Sequence, residues 1–214
     1  MRCIKKLEPP EDYINWVTNF KVNNRKSPSY SSIPQRYKDM LKSQFIKEQK
    51  GLCCYCCGRI SFAGSHIEHF YPQTLCKVQN RKEQTNYYNM FSSCYGYIEN
   101  LSEFEREFCG HRKDNWYDEQ KMISPLEEDC SSYFTYSSQG VIKAKDNNDK
   151  AIERIKCLGL DEYVLNEARK MALEAIGYFE EDFDKESAEQ IAEQEDEDGY
   201  LPSFCNIIEY FACK

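Results

Sequence analysis

The sequence is poor in histidine and has no long apolar segment. Three of its 214 residues are histidine, so few positions can act as a general base near neutral pH. No N-terminal stretch has the apolar core of a signal peptide, and nothing approaches about eighteen consecutive apolar residues. These absences predict a soluble, cytoplasmic protein without a membrane segment.

Cysteine, in contrast, is abundant, with twelve residues. In a secreted chain this number would suggest disulfides, but the predicted compartment favours reduced thiols that bind metal. A Cys-x-x-Cys pair and two later cysteines could complete a tetrahedral structural zinc site. The predicted ligands are Cys53, Cys56, Cys94 and Cys109. Cys54 and Cys57 have the same spacing as the first pair and remain an alternative register.

All three histidines lie in the same stretch of sequence as these cysteines. Two of them belong to the segment 65–71, which alternates enough to form a strand that Pro72 ends. Because side chains alternate on a strand, His66 and Glu68 would share one face while His69 points to the other. Adjacent residues at a strand end can supply a metal ligand and a general base to one phosphate. The segment is therefore the candidate catalytic strand.

Three segments of this stretch resemble the ββα-metal motif of HNH endonucleases, in the variant with a zinc knuckle of paired cysteines. Segments 67–72, 89–94 and 109–113 read Ile-Glu-His-Phe-Tyr-Pro, Asn-Met-Phe-Ser-Ser-Cys and Cys-Gly-His-Arg-Lys. The amino-acid sequence of segments 4–10, 109–118, 123–126 and 140–142 is similar to that of the nuclease subunit of Septu-type and retron-linked antiphage defence systems. The resemblance covers roughly residues 1 to 175. It implies an α+β fold, a ββα-metal HNH core with a zinc knuckle embedded in a mainly helical chain.

The resemblance also implies a role for each matching residue. His69 would be the general base that deprotonates the attacking water, and Glu68 would help to hold a catalytic divalent ion, Mg²⁺ or Mn²⁺. Asn89 would orient the base and brace the loop. The last metal ligand would be His111, which is the nearest fit to the motif. Asp114 and Asn115 are the alternatives.

Two more polar residues of the stretch keep alternative interpretations. Lys113 would contact a nucleic-acid phosphate or pair with a nearby carboxylate. His66 is interpreted as a bystander or a substrate contact, with a metal ligand as the alternative. Both choices depend on which side chains the fold places beside them.

The charge of the chain is divided unevenly. Residues 1–145 contain 21 basic and 17 acidic residues, which gives +4, whereas residues 146–214 contain 7 and 19, which gives −12. The overall charge of −8 therefore does not exclude a nucleic-acid substrate. DNA is the predicted target, with RNA and tRNA left open.

Periodicity and charge predict basic N-terminal helices at 1–50 and an acidic helical region at 146–214. Between them, 51–145 would hold a hairpin and the HNH core with zinc knuckle that the resemblance implies. Helices are predicted after Pro10 and after Pro34, and Asp161 is predicted to cap a long helix. Residues 180–198 hold eleven acids against Lys185 alone, which predicts a solvated helix face or a partly disordered segment. The apolar C-terminal helix must dock on the body or on a partner.

Taken together, the sequence predicts a metal-dependent HNH endonuclease. The resemblance implies an antiphage effector that works with an ABC- or SMC-like ATPase subunit. The alternative is a zinc-knuckle protein that binds nucleic acid without cutting it, or an adaptor whose acidic region engages a partner.

Overall fold

The computed structural model describes residues 1–79, 81–96 and 107–213, and in these residues it combines helices with two small antiparallel strand pairs. The helices are α1 Glu11–Asn24, α2 Gln35–Glu48, α3 Gln73–Val78, α4 Cys109–Lys113, α5 Asp149–Leu158, α6 Tyr163–Ala175, α7 Lys185–Glu193 and α8 Cys205–Ala212. The strands are β1 Ser65–His69, β2 Met90–Cys94, β3 Phe134–Tyr136 and β4 Ile142–Ala144. A mixed helix-and-sheet fold is thus confirmed. None of the described helices is long and apolar enough to cross a membrane.

The first strand pair is the element around which the candidate site is built. β1 and β2 pair antiparallel, with His66 opposite Ser93 and His69 opposite Met90. Helices α2 and α4 both pack against β2. Pro72 follows β1 and stands at the start of α3, where its missing N–H leaves no helical hydrogen bond unmade. Two strands and a short helix therefore meet in one unit.

The predicted helix starts agree with the structure in two of three cases. α1 begins directly after Pro10 and α2 directly after Pro34. The predicted cap at Asp161 is wrong, because α6 begins at Tyr163 and its N-cap position is Glu162. The Asp161 backbone carbonyl instead accepts a hydrogen bond of 2.8 Å from the Asn166 side chain.

Two clusters of buried apolar side chains form the core. The smaller one joins α1 and α2 to Tyr87 and to Met90 at the start of β2. The larger one combines residues from all three regions of the sequence, including Ile46, Tyr55, Phe91, Leu158, Leu173 and Ile207. The three sequence regions therefore share a core.

The C-terminal region docks on the body of the protein. The segment 195–204, here called the C-terminal strap, lies against the turn that carries the first cysteines. The backbone N–H groups of Leu201 and Phe204 donate to the carbonyls of Lys50 and Cys57, at 3.0 and 2.8 Å. Arg59 donates to the Asp196 carboxylate at 2.7 Å. Behind the strap, α7 and α8 pack on each other.

Candidate metal centre and adjoining polar site

Four cysteines from three separate elements meet at one point. The Sγ atoms of Cys53, Cys56, Cys94 and Cys109 all lie within 4.8 Å of one another. Cys53 and Cys56 come from the turn after α2, Cys94 ends β2, and Cys109 begins α4. The structure therefore brings together the predicted set in the first of the two possible registers.

Local backbone geometry explains this register. The Cys53 N–H donates to the Gly58 carbonyl at 2.8 Å, which closes the turn, and Cys57 has a positive φ of 63°. The Gly58 N–H donates to Cys56 Sγ at 3.3 Å, and the Cys94 N–H donates to Cys53 Sγ at 3.4 Å. Backbone donors of this kind stabilise thiolates over thiols.

The distances and the ionisation of the cluster fit a four-coordinate metal ion. Cys56 and Cys94 are 4.0 Å apart between sulfurs, too far for a disulfide, whereas two thiolates on tetrahedral zinc are roughly 3.8 Å apart. Burial opposes ionisation of Cys53, but hydrogen bonds from the surrounding thiols, first that of Cys109, lower its pKa. Burial and the neighbouring Cys53 raise the pKa of Cys109. Thiolates packed this closely repel one another, and a cation would relieve the repulsion. The cluster could therefore hold structural zinc.

Glu68 lies beside this centre as a buried, fully compensated carboxylate. Its Oε1 is 2.8 Å from Lys113 Nζ on α4 and accepts a hydrogen bond of 3.1 Å from the Tyr55 hydroxyl. Its Oε2 is 3.5 Å from Nε2 of His66. Burial alone would raise the pKa of Glu68, but the hydrogen bond from His66 and the charge of Lys113 outweigh it and lower the pKa. Glu68 is therefore charged at neutral pH.

Helix α4 can approach Glu68 this closely because residue 110 is glycine. A Cβ atom at Gly110 would lie 2.8 Å from Glu68 Oε2 and 3.0 Å from His66 Nε2. Both distances are shorter than ordinary van der Waals contacts. Any other residue would displace the helix from the strand or fill the space beside these two atoms.

His69 is buried on the opposite face of β1, as the alternation of strand side chains predicted. Its ring Nε2 is 3.1 Å from the Gln84 backbone carbonyl, and the Gln73 side-chain nitrogen is 3.3 Å from its Nδ1. The imidazole also meets the edge of the Tyr30 ring, with 4.8 Å between centroids. Because a carbonyl can only accept, Nε2 carries the proton and Nδ1 is the acceptor. Burial lowers the pKa of His69 to about 4, so the ring is neutral at neutral pH.

Asn89 braces the loop that follows β1. Its Oδ1 accepts from the Tyr71 N–H at 2.7 Å, and its Nδ2 donates to the carbonyls of Tyr71 and Glu83 at 3.0 and 2.9 Å. Glu83 immediately precedes Gln84, whose carbonyl contacts His69. Asn89 thus holds the loop residue next to the carbonyl that contacts the imidazole.

Lys113 is enclosed and takes the second of its two predicted roles. Its side chain is 1 % exposed, and besides Glu68 it contacts the backbone carbonyl of His69 at 2.9 Å. An amino group so deeply buried has no surface to offer to a nucleic-acid phosphate in this structure. The predicted carboxylate pairing is the arrangement observed.

The candidates for the last catalytic ligand make contacts of their own on α4 and just after it. The His111 side chain is half exposed, with Nδ1 3.6 Å from the Glu107 carboxylate. The Asn115 side chain donates to Asp114 and accepts from Thr74. Within the described ranges, no group of three or more His, Cys, Asp or Glu side chains other than the four cysteines could hold a metal ion.

Sequence reasoning missed several partners of these residues. Tyr55 lies inside the Cys-x-x-Cys turn and carried no separate signal. Gln73 and Gln84 reach His69 only because the segments on either side of residue 80 fold back over β1. His66 offered a usable signal, since a spacing of two on a strand places it beside Glu68.

Comparisons with known proteins add no assignment to this geometry. A scan against protein-family models found no matching family, and a search of curated proteins found no matching relative.

Proposed function

We propose that this protein is a metal-dependent endonuclease of the HNH type that hydrolyses phosphodiester bonds in nucleic acid, with DNA as the first candidate. One observation carries the proposal: a neutral histidine directly follows a buried, ionised carboxylate on a strand pair whose adjoining helix begins at the four-cysteine centre. This arrangement supports a ββα-metal core, with the cysteine site as a structural zinc knuckle.

In this proposal His69 acts as the general base through Nδ1. The Gln84 carbonyl holds the proton on Nε2, which leaves the Nδ1 lone pair to accept a proton from water. The depressed pKa keeps this lone pair available at neutral pH. The Gln73 amide, 3.3 Å from Nδ1, must turn aside for water to enter.

Glu68 would hold a divalent ion through Oε2, with His111, Asp114 or Asn115 as the further ligand that the resemblance implies. Such an ion, when bound, supplies positive charge that favours attack on a phosphodiester. Mg²⁺ sites use one or two carboxylates with waters and substrate phosphates, so a single Glu68 fits this class. Lys113 and Tyr55 fix the carboxylate from its other oxygen.

The resemblance alone supports the wider proposal, in which the protein is an antiphage effector controlled by an ATPase subunit.

A second candidate is a zinc-knuckle protein that binds nucleic acid without cleaving it. The enclosure of His69, which is 4 % exposed, and the compensation of Glu68 by Lys113 favour this reading. Both features would then serve only to stabilise the fold.

The two candidates are separated by incubating the purified protein with supercoiled plasmid, single-stranded RNA or tRNA, in Mg²⁺, in Mn²⁺ or in a chelator. We expect metal-dependent cleavage that falls by about 100-fold or more in His69→Ala and in Glu68→Gln. Glu119→Gln, which changes an exposed carboxylate, is the matched control and should cleave normally.

Zinc content and circular dichroism verify that each variant is folded. Binding without cleavage in all metals, unchanged by His69→Ala and Glu68→Gln, would reject the nuclease and support the second candidate.

A further inference from the structure

The face of β1 that carries Glu68 also carries a histidine whose function the sequence left undecided. His66 Nε2 lies 3.5 Å from Glu68 Oε2, and the side chain is 30 % exposed. The ring stacks on Tyr95 with 5.7 Å between centroids and 26° between planes. Its Nδ1 is enclosed and has no hydrogen-bond partner among the described residues. Nε2 is therefore the nitrogen turned toward the carboxylate.

The two oxygens of Glu68 are used differently. Oε1 is occupied by Lys113 at 2.8 Å and by the Tyr55 hydroxyl at 3.1 Å. Oε2 faces His66 and the backbone of Gly110. A Cβ atom at residue 110 would lie within 3.0 Å of both Glu68 Oε2 and His66 Nε2. Because residue 110 is glycine, it places no side chain against this oxygen and this nitrogen.

We propose that Glu68 Oε2 and His66 Nε2 together bind the divalent ion, so that His66 takes the ligand position which the resemblance gives to His111. Adjacent ligands of an octahedral ion are roughly 3 Å apart, so a small rotation of the imidazole brings the two atoms into range. The inference rests on the proposed nuclease function for the use of the ion, but ion binding can be measured without cleavage.

The chemistry of the ligand pair sets the preferred ion. Imidazole nitrogen is a weak partner for Mg²⁺ and a better one for transition metals, so Mn²⁺ should bind more tightly than Mg²⁺. Binding an ion through Nε2 moves the imidazole proton from Nε2, where it points to Glu68, to Nδ1. Because no described residue accepts a hydrogen bond from Nδ1, the imidazole should add only about tenfold to the affinity.

The test uses Mn²⁺ alone as the probe on the whole 214-residue chain loaded with zinc. Mn²⁺ affinity is measured by electron paramagnetic resonance, and electron spin echo modulation detects a histidine nitrogen on the bound ion. Of the three histidines, His66 and His111 are the two competing ligands. His66→Ala and His111→Ala make the same substitution and form a matched pair. We expect His66→Ala to lose the nitrogen signal and to bind Mn²⁺ about tenfold more weakly, while His111→Ala keeps both.

Loss of the signal in His111→Ala with retention in His66→Ala would overturn the inference, as would the absence of bound Mn²⁺ or of a nitrogen signal in the wild type. His66→Asn replaces His66→Ala if zinc content or circular dichroism shows misfolding. A wild type that binds Mn²⁺ through His66 but cuts no plasmid or RNA would reject the nuclease function and leave the ion site standing. A protein that cleaves nucleic acid but loses its nitrogen signal only in His111→Ala would support the nuclease function and reject the ion site at His66.

Discussion

At the scale of single residues, Glu68 and Lys113 form a buried ion pair beside the cysteine centre. The two side chains are 10 % and 1 % exposed, so both charges have lost most of their hydration. Their mutual attraction, the Tyr55 hydroxyl and the His69 carbonyl replace that hydration. Removing one partner leaves the other buried without compensation, which is more harmful than removing both.

Lys113→Met should therefore lower the free energy of unfolding by about 3 kcal/mol, because Met preserves the bulk of the stem but leaves Glu68 unpaired. The double variant Glu68→Gln with Lys113→Met should recover at least half of this loss. Urea denaturation at pH 7.5 measures both. Lys170→Met is the control, since Lys170 and Glu174 form a partly exposed pair whose removal should change stability by less than about 0.5 kcal/mol. Equal losses in the two lysine variants would contradict this account.

The buried His69 makes stability depend on pH. Burial lowers its pKa from 6.5 to about 4 in the folded protein, whereas the unfolded chain takes up the proton near 6.5. Between these values the unfolded state binds more protons, so stability is full above pH 6.5 and falls as the pH drops toward 4. Below about 4 both states are protonated and this effect ends.

We expect His69→Gln to remove this dependence. Between pH 7.5 and 5 the wild type should lose about 2 kcal/mol more than the variant, because each pKa unit corresponds to about 1.4 kcal/mol. Urea unfolding curves at several pH values measure the difference. The protein is loaded with zinc, and no Mg²⁺ or Mn²⁺ is added. Parallel curves for the two proteins would show that the imidazole is already charged or exposed.

Residue-level prediction from sequence succeeded where it used strand geometry. The period of two correctly placed His66 with Glu68 and His69 on the other face. It could not supply the Gln73 and Gln84 contacts, which depend on how segments outside the strand fold over it. Those contacts decide the tautomer of His69, and burial lowers its pKa. Both depend on the fold, so the chemistry of His69 needed the three-dimensional structure.

At the scale of elements, the cysteine centre ties a turn, a strand end and a helix start together. Spacing alone allowed two registers for the first pair. The choice is made by the backbone, because the Cys53 N–H bonds the Gly58 carbonyl and the Cys94 N–H bonds Cys53 Sγ. Cys54 instead uses its N–H for the Ser92 carbonyl. The bonds from Cys94 and to Ser92 are long-range pairings that a Cys-x-x-Cys pattern does not contain.

The purified protein should contain about one zinc ion per chain. Cys53→Ser and Cys109→Ser should lose the metal and much of the stability, because structural zinc contributes directly to folding. Cys54→Ser, one residue from a ligand and equally buried, should keep it. Elemental analysis after gel filtration gives the content. Retention in Cys53→Ser together with loss in Cys54→Ser would assign the other register.

At the scale of the whole molecule, the acidic C-terminal region is part of the folded body. Its composition predicted a solvated face or partial disorder, and exposed acids do line α7. The apolar residues between and after the acids decide the outcome: Ala188, Ala192, Leu201, Phe204, Ile207 and Ile208 are all buried. The number of charges in a segment does not reveal a few buried positions within it. The sequence therefore did not decide whether the C-terminal helix docks on the body or on a partner.

Docking of α8 should consequently stabilise the four-cysteine centre. Ile207 is fully buried and follows Phe204, whose N–H bonds the Cys57 carbonyl beside Cys56. Ile207→Ala should cost about 3 kcal/mol through lost burial and a residual cavity. It should also speed zinc transfer to a chelator, because loosening α8 frees the C-terminal strap from the turn.

Ile191→Ala is the matched control, since the same truncation on α7 removes a side chain that is 37 % exposed. It should change stability by less than about 0.5 kcal/mol and leave zinc release unchanged. Urea unfolding and a chelator absorbance assay report the two quantities on the same samples. If Ile207→Ala unfolds more easily but releases zinc at the wild-type rate, the strap does not hold the turn, and α8 stabilises the remainder of the core alone.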